Sequence, residues 1–301
     1  MEHCIGRLFS GVTRCFYALV LLLTLAAVGG TADAEDEHPV VRLAVVNTPC
    51  ESGLLAALLP EFERTSGYRV EVHCGNAPYR EADRGKADLV ISHYGKAPVE
   101  QFVTSGKGQW PQPVFSNQAV LVGPKSDPAK IQGMTDPFAA TKQIVASGSP
   151  FVASTNPGER YLTELLLAGA GNPARGDWYI ETPLSRGQAL ALAEQESAYT
   201  VWGSFPFERY RRKHGTDLAV MVWQTPIFHR MMATIVVNPA IFPDANVAGA
   251  TALEAYLLAP ATQAAIAAFR ENGLDRQTWW PAGRDNNPAL LPGTMGSTAE
   301  E

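Results

Sequence analysis

The chain has 301 residues, with 30 acidic against 24 basic side chains and a formal net charge of −6, so it carries no general attraction for nucleic acid or an anionic membrane. Its length and 46% apolar composition are ample for a core, which at this size is commonly split into two lobes. Any anion it binds must be held by a local site acting against the overall field.

Residues 1–34 read as a secretory signal peptide. Arg7 and Arg14 give a positive start, residues 16–28 form a short apolar run, and Ala32-Asp33-Ala34 is a small-x-small cleavage site. The run is shorter than the roughly 20 residues of a spanning helix, and no Cys follows it to carry a lipid anchor. Glu2 and Asp33 balance Arg7 and Arg14, so removing the leader leaves the net charge unchanged. An exported, periplasmic protein is expected.

The run 43–55 reads as a buried strand that hands over abruptly to a helix. Residues 41–46 are a β-branched stretch of the kind covered on both faces. Thr48-Pro49-Cys50-Glu51 fits a capping box, and Leu54, Leu55, Leu58, Leu59 and Phe62 recur on one helical face. Such a junction presents free N–H groups to an anion, or is an ordinary connection that binds nothing. A second strand is expected at 68–73, a short helix at 78–84, a strand at 87–93, a helix at 98–104 and a strand at 118–123. This βαβαβ order predicts an α/β fold with a doubly wound parallel sheet. The breaker-rich run Gly123-Pro124-Lys125-Ser126-Asp127-Pro128 is the expected crossover between lobes.

The second half repeats the alternation. Helices are expected at 138–147, 156–168, 186–196 and 205–214, the second with Asn156 as N-cap and Pro157 at its first position. Short strands fall at 151–153, 178–180 and 198–202. An apolar strand at 231–237 and two Ala-rich helices at 247–258 and 260–271 return the chain to the first lobe. The expected division is 40–123 plus 230–285 for one lobe and 124–229 for the other, with a disordered tail at 286–301.

Cys4 and Cys15 leave with the leader, so only Cys50 and Cys74 remain. An even pair in an oxidising compartment predicts a disulfide. If the first two strands are parallel neighbours, both cysteines lie at one edge of the sheet, which favours the bridge. The competing reading is a metal site from Cys50, Cys74, His73 and His93. His73 and Cys74 are sequential and point to opposite faces of a regular strand, and a bridge would use the same sulfurs. No Gly-x-Ser-x-Gly elbow, His-Glu-x-x-His pair or phosphate-binding glycine loop occurs, so neither an enzyme nor a cofactor is expected.

From 43 to 271 the segments resemble a type II periplasmic solute-binding protein, above all the tungstate-binding proteins that feed ABC importers. Leu43-Ala44 with Pro49-Cys50-Glu51-Ser52-Gly53-Leu54-Leu55 resembles the family's first strand and helix. Ala87-Asp88-Leu89-Val90-Ile91-Ser92-His93, then Lys96-Ala97 and Phe102-Val103, resembles its third strand and the helix after it. Val120-Leu121-Val122-Gly123-Pro124-Lys125 followed by Asp127-Pro128-Ala129 is the most specific match. Phe151-Val152, Trp178-Tyr179-Ile180-Glu181-Thr182 and Ala198-Tyr199-Thr200 continue it. The resemblance implies a two-lobed fold, each lobe a mostly parallel sheet flanked by helices. It implies a monomer that captures a small oxyanion such as tungstate or molybdate and delivers it to an ABC permease in the inner membrane, with no nucleic acid involved.

The family opens with Thr-Thr-Thr-Ser where this chain has Val45-Val46-Asn47-Thr48, and its later Ser-Arg-Gly-Asp-Asp-Ser-Gly-Thr corresponds to Ala153 through Arg160. Ser154 stands at the arginine position, and an arginine appears instead at Arg160. Candidate ligand residues are therefore Asn47, Thr48, Ser154, Thr155 and Arg160, with Ser92 and His93 at a strand end and Trp202 on the opposite wall. Each has a structural alternative: Thr48 as a helix cap, Ser154 and Thr155 as turn residues, Arg160 as the i, i+4 partner of Glu164. A periplasmic sensor or scaffold that kept the fold and left transport is the second functional reading.

Overall fold

The computed structural model describes residues 39–184, 187–223, 225–271, 273–274 and 276–282. The leader at 1–34 and the tail from 286 lie outside them. Strand β1 (Val40–Val46) is apolar on both faces, with Val41, Leu43 and Val45 toward one core and Ala44 toward another. It is flanked in parallel by β2 (Arg69–Gly75) and β3 (Leu89–His93). Antiparallel β9 (His229–Val236), β4 (Gln112–Pro124) and β10 (Trp280–Pro281) extend the sheet in the order β2-β1-β3-β9-β4-β10.

Helices cover both faces of this first lobe. α2 (Leu54–Ser66) and α9 (Val247–Leu258) bring Leu54, Leu58, Phe62, Leu253 and Leu257 onto Val41, Leu43 and Val45. α3 (Pro78–Asp83) and α4 (Ala97–Thr104) bring Ala82, Val99 and Phe102 onto Ala44, Val90 and Ile235. Each fully buried Leu or Phe of this kind contributes about 1.5–3 kcal/mol.

One polar group is sealed inside. The Asp88 carboxylate, 0% exposed, accepts from the Arg42 backbone N–H (2.7 Å), the Arg42 guanidinium and the Asn246 N–H (3.0 Å). The Asn246 side chain caps α9 through Gly249 N–H and donates to the Val40 carbonyl. Asp88 therefore ties β1, the start of β3 and the start of α9 together.

The first helix departs from the expected capping box. α1 (Asn47–Glu51) starts directly after Val46, ends at Ser52, and Gly53 at φ +81° resets the chain before α2. The Thr48 hydroxyl caps nothing, because α1 already includes Thr48. A five-residue helix has little dipole to offer. Cys50 is bridged to Cys74, with a Cα–Cα distance of 6.4 Å, tying α1 to the end of β2. These two sulfurs are thus used, and neither offers a thiolate to a metal.

β4 runs on into the second lobe. Residues Gln112 to Gln118 pair with β9, whereas Ala119 to Pro124 pair with β7 (Thr200–Gly203) and β8 (Leu218–Val222). β5 (Phe151–Ala153) and β6 (Tyr179–Glu181) are parallel, and Phe151 bridges Tyr199 in parallel. α5 (Pro137–Ser147) and α6 (Pro157–Gly169) pack on one face with Ile144, Leu162 and Leu166. α7 (Gly187–Gln195) and α8 (Ser204–His214) pack on the other with Ala189, Leu190 and Phe207. α10 (Pro260–Ala268) follows α9 back in the first lobe.

The hand-over between sheets thus falls inside β4, between Gln118 and Ala119, and not at the breaker-rich run after Gly123. That run wraps the Tyr199 ring. The Tyr199 hydroxyl donates to Asp127 (2.7 Å) and accepts from the Ala129 N–H (3.0 Å), while a Cβ at Gly123 would collide with the ring.

Asp88→Ala leaves the Arg42 and Asn246 backbone N–H groups without their acceptor and the Arg42 guanidinium with only the Gly85 carbonyl, and should cost about 3 kcal/mol in a urea titration. Replacing Cys50 and Cys74 together by Ala opens a loop closed over a separation of 24 residues. The expected loss is about 3 kcal/mol, read as a lower urea midpoint relative to the oxidised protein.

Candidate functional site

β4 crosses between the lobes with β9 antiparallel to its first half, and the register of the two fixes the site. Asn117 of β4 lies opposite Arg230 of β9, and His93 at the end of β3 lies opposite Met232 of β9. Tyr94 N–H donates to the Met231 carbonyl (2.9 Å), which turns the chain after β3 toward Lys96 at the start of α4. Arg230, Asn117, His93 and Lys96 therefore gather at one end of the sheet.

Opposite them stands the first turn of α6. Pro157 opens the helix and brings no N–H, and the Asn156 side chain caps nothing. The turn before it is held locally. Ser154 Oγ accepts from the Asn156 N–H (3.1 Å), and Thr155 Oγ1 donates to the Leu184 carbonyl (3.2 Å). Gly158 follows, and the Arg230 guanidinium lies so close to it that a Cβ there would collide with both terminal nitrogens. Glycine at 158 is what lets an arginine from β9 reach the uncapped N-terminus of a helix in the other lobe.

Glu159, the next residue, turns its carboxylate toward the β7–α8 turn, 3.9 Å from where a Cβ on Gly203 would sit. Gly203 is itself the N-cap of α8 and leaves that helix start without a side-chain cap. Two helix N-termini therefore flank the carboxylate.

The electrostatics of the cluster are unusual for an acidic protein. Burial pushes the Glu159 carboxyl above its ordinary range, against the pull of Arg230, its own backbone N–H and Lys96. Burial and the Arg230 charge push the Lys96 ammonium down, while Glu159 opposes them. Burial, then Arg230 and Lys96, hold His93 well below its usual value, so the imidazole is neutral near pH 7. The Asn117 side chain lies beside the ring and opposes that shift, but the two make no hydrogen bond of good geometry, and His93 Nδ1 and Asn117 Oδ1 are buried atoms without one among the described residues. Among those residues, too, neither Arg230 nor Lys96 has a carboxylate within 4.0 Å, and Glu159 has no cation that close.

The sequence-derived candidates divide. His93 and Ser154 stand at the strand end and at the α6 turn described above, with Ser92 buried beside His93. Asn47 donates its amide to Asn76 Oδ1 (3.0 Å), and Thr48 accepts through its carbonyl from Ser52 N–H. Thr155 is exposed and spends its hydroxyl on the chain at 183–184. Arg160 is held by Glu164 (3.0 Å) and Glu181, the paired arrangement that its i, i+4 spacing allows. Trp202 is 3% exposed and packs in the core with Val120, Val122 and Phe207. Lys96, Asn117, Glu159 and Arg230 were not singled out from the sequence.

A second concave region lies on the far side of α8, lined by Lys125, Phe207, Glu208, Arg211, Trp223 and Arg276. Its carboxylate, Glu208, already holds Arg211 (2.8 Å) and Arg276 (2.7 Å), so its charges are spent internally.

Comparison with known proteins places the chain among solute-binding proteins. The tungstate-binding protein TupA of Peptoclostridium acidaminophilum is 30% identical over 277 residues, spanning 87% of this chain and 94% of that protein. The solved tungstate-binding protein TupA of Desulfovibrio alaskensis G20 is 25% identical, with a TM-score of 0.72 over 81% of this chain and 99% of its own. The solved tungstate ABC transporter protein of Geobacter sulfurreducens is 26% identical, with a TM-score of 0.63 over 76% and 98%. The family of bacterial extracellular solute-binding proteins matches residues 51–274, most of the chain, and it is to this family that the protein belongs.

Proposed function

We propose that the protein captures a small tetrahedral oxyanion, of the tungstate or molybdate kind in size and shape, between its two lobes and delivers it to an ABC permease of the inner membrane. The observation that carries this reading is the Arg230 guanidinium, which reaches from β9 to the uncapped first turn of α6 with no carboxylate in ion-pair distance among the described residues. Lys96, the neutral His93 ring, the Asn117 amide and the α6 N–H groups complete a set of donors of the kind an oxyanion needs. The tungstate-binding relatives support the ligand class.

No bond is made or broken in this role. β4, which carries Asn117, also joins the lobes, so a ligand held by both lobes favours whichever lobe arrangement brings its donors together. Residues 1–34 would export the chain and be removed, and the first sheet, with β4 up to Gln118, would move as one lobe against the second, which takes β4 from Ala119.

Calorimetric titration of the purified mature protein with tungstate, molybdate, sulfate and phosphate tests the reading. At least one should bind with one-to-one stoichiometry, and Arg230→Ala should weaken it by about 1.5–3 kcal/mol, the range of hydrogen bonds to a charged group. Arg160→Ala, on the same helix but held by two carboxylates, should bind almost as the parent does. A loss in Arg160→Ala as large as that in Arg230→Ala would move the ligand to the other face of α6.

A further inference from the structure

Glu159 is the residue that an anion site would be expected to lack. A carboxylate only accepts hydrogen bonds, and so does a fully deprotonated oxyanion, so the two cannot meet without a proton between them. The formal charges make the same point. Arg230 and Lys96 against Glu159 leave one net positive charge, His93 being neutral. A fully deprotonated dianion would take the cluster to one net negative, and one additional proton returns it to neutrality; hydrogenphosphate leaves it at one net negative but brings its own proton to stand between the two acceptors. The groups facing Glu159 are Arg230 from β9 and Lys96 from the turn after β3, with the Gly203 backbone from the β7–α8 turn and the first N–H groups of α6 itself. None of these is a second acid that could take the proton in its place.

Resting on the oxyanion reading above, we propose that the bound anion shares one proton with the Glu159 carboxylate, so that the site takes a hydrogen-bearing oxyanion of the hydrogenphosphate class as it stands, and a fully deprotonated one only with uptake of a proton. For hydrogenphosphate the ligand's own O–H donates to the ionised carboxylate. For sulfate, molybdate or tungstate the proton comes from the solvent, adds to a carboxylate oxygen, and the resulting O–H donates to the anion. Burial already raises the Glu159 carboxyl, and a dianion beside it raises it further, so the proton is taken up on binding. The sign follows from linkage: affinity for a deprotonated anion falls as pH rises above the carboxyl's value in the free protein.

The test is titration of the mature protein with phosphate, sulfate, molybdate and tungstate between about pH 6 and 8, in two buffers of different ionisation enthalpy. Sulfate, molybdate or tungstate should bind with uptake approaching one proton and weaken up to about tenfold per pH unit, while hydrogenphosphate should bind near pH 8 with almost no uptake. Glu159→Gln keeps an amide donor in the same place and removes the charge. It should bind the deprotonated anions more tightly at pH 8, without proton uptake, and should lose any preference for phosphate. Circular dichroism and the melting temperature establish that the variant is folded, and the proton count on the parent protein stands independently of it. Binding of the deprotonated anions with no proton uptake, or the same pH dependence in Glu159→Gln as in the parent, would overturn the proposal and leave the oxyanion reading intact. Failure of every anion to bind would overturn both.

Discussion

The pairing of β4 with β9 is the constraint on which the rest depends. β4 leaves the first sheet at Gln118 and enters the second at Ala119 without a break, and β9 lies against its first half in antiparallel register. Because the ladder fixes Asn117 opposite Arg230, the two side chains arrive together at the junction of the lobes. A slip of one residue would turn both to the other face of the sheet and empty the site of its guanidinium. The β9–β3 ladder then places His93 and, after the Tyr94 turn, Lys96 at the same end. The four polar side chains owe their meeting to backbone pairing, since none of them is held there by an ion pair among the described residues.

Such a cluster is costly to assemble before a ligand arrives. Two cations and a half-buried carboxylate lose solvation, and they do not recover it through short mutual ion pairs. The surrounding fold bears that cost through the apolar cores and through the knot at Asp88, which pins the first lobe's central strands to α9. The arrangement matches a binding site more than a stabilising network, because a network would have closed Glu159 onto Arg230. It also answers how an acidic chain can attract an anion: the field at the α6 N-terminus is local, set by Arg230, Lys96 and helix dipoles, while the net charge resides elsewhere on the surface.

Much of the scaffold was legible in the sequence, because it is written in local periodicity. The β-branched run at 41–46, the i, i+3, i+4 leucines of α2 and the proline-opened helices were all readable from spacing alone. The bridge between Cys50 and Cys74 followed from the parallel neighbours β1 and β2. The candidate site was less legible, and the reason is physical. Arg230 and Gly158 are 72 positions apart and meet only through strand register, which no local pattern records. Glu159 stands in the first turn of α6, where a carboxylate suits the helix dipole, so its type and position alone do not mark it as part of a site. Trp202, at a strand end, looked like a cleft wall, yet the residues on its face of β7 point into the second lobe's core with Val120 and Val122. The hydroxyl-rich opening of the tungstate-binding family is lost here at β1, and the donors the cluster does offer come from later in the chain.

The remaining contacts between α8 and the first lobe indicate how motion would be limited. Glu208 and Glu271, only 5% and 4% exposed, hold Arg211, Arg276 and Arg212, joining α8 to the segment that follows α10. Breaking the Arg212–Glu271 pair, or both pairs of Glu208 together, would strand a buried carboxylate, a loss of several kcal/mol that ligand binding would have to offset. Arg209, on the same helix, reaches Glu51 beside the disulfide, and both of those side chains are well exposed. A surface pair of that kind is worth about 0–1 kcal/mol and can open at little cost. If the lobes move as proposed, the buried pairs at the α8 end would stay closed as a pivot, and the exposed Arg209–Glu51 contact is the one that would part. An axis through α8 and the β4–β9 crossing would swing the α6 N-terminus against Arg230 while leaving Asn117, His93 and Lys96 fixed to the first lobe. On the proposed reading, ligand capture and lobe closure would be one event, because the guanidinium proposed to hold the anion is also the group that reaches Gly158 in the other lobe.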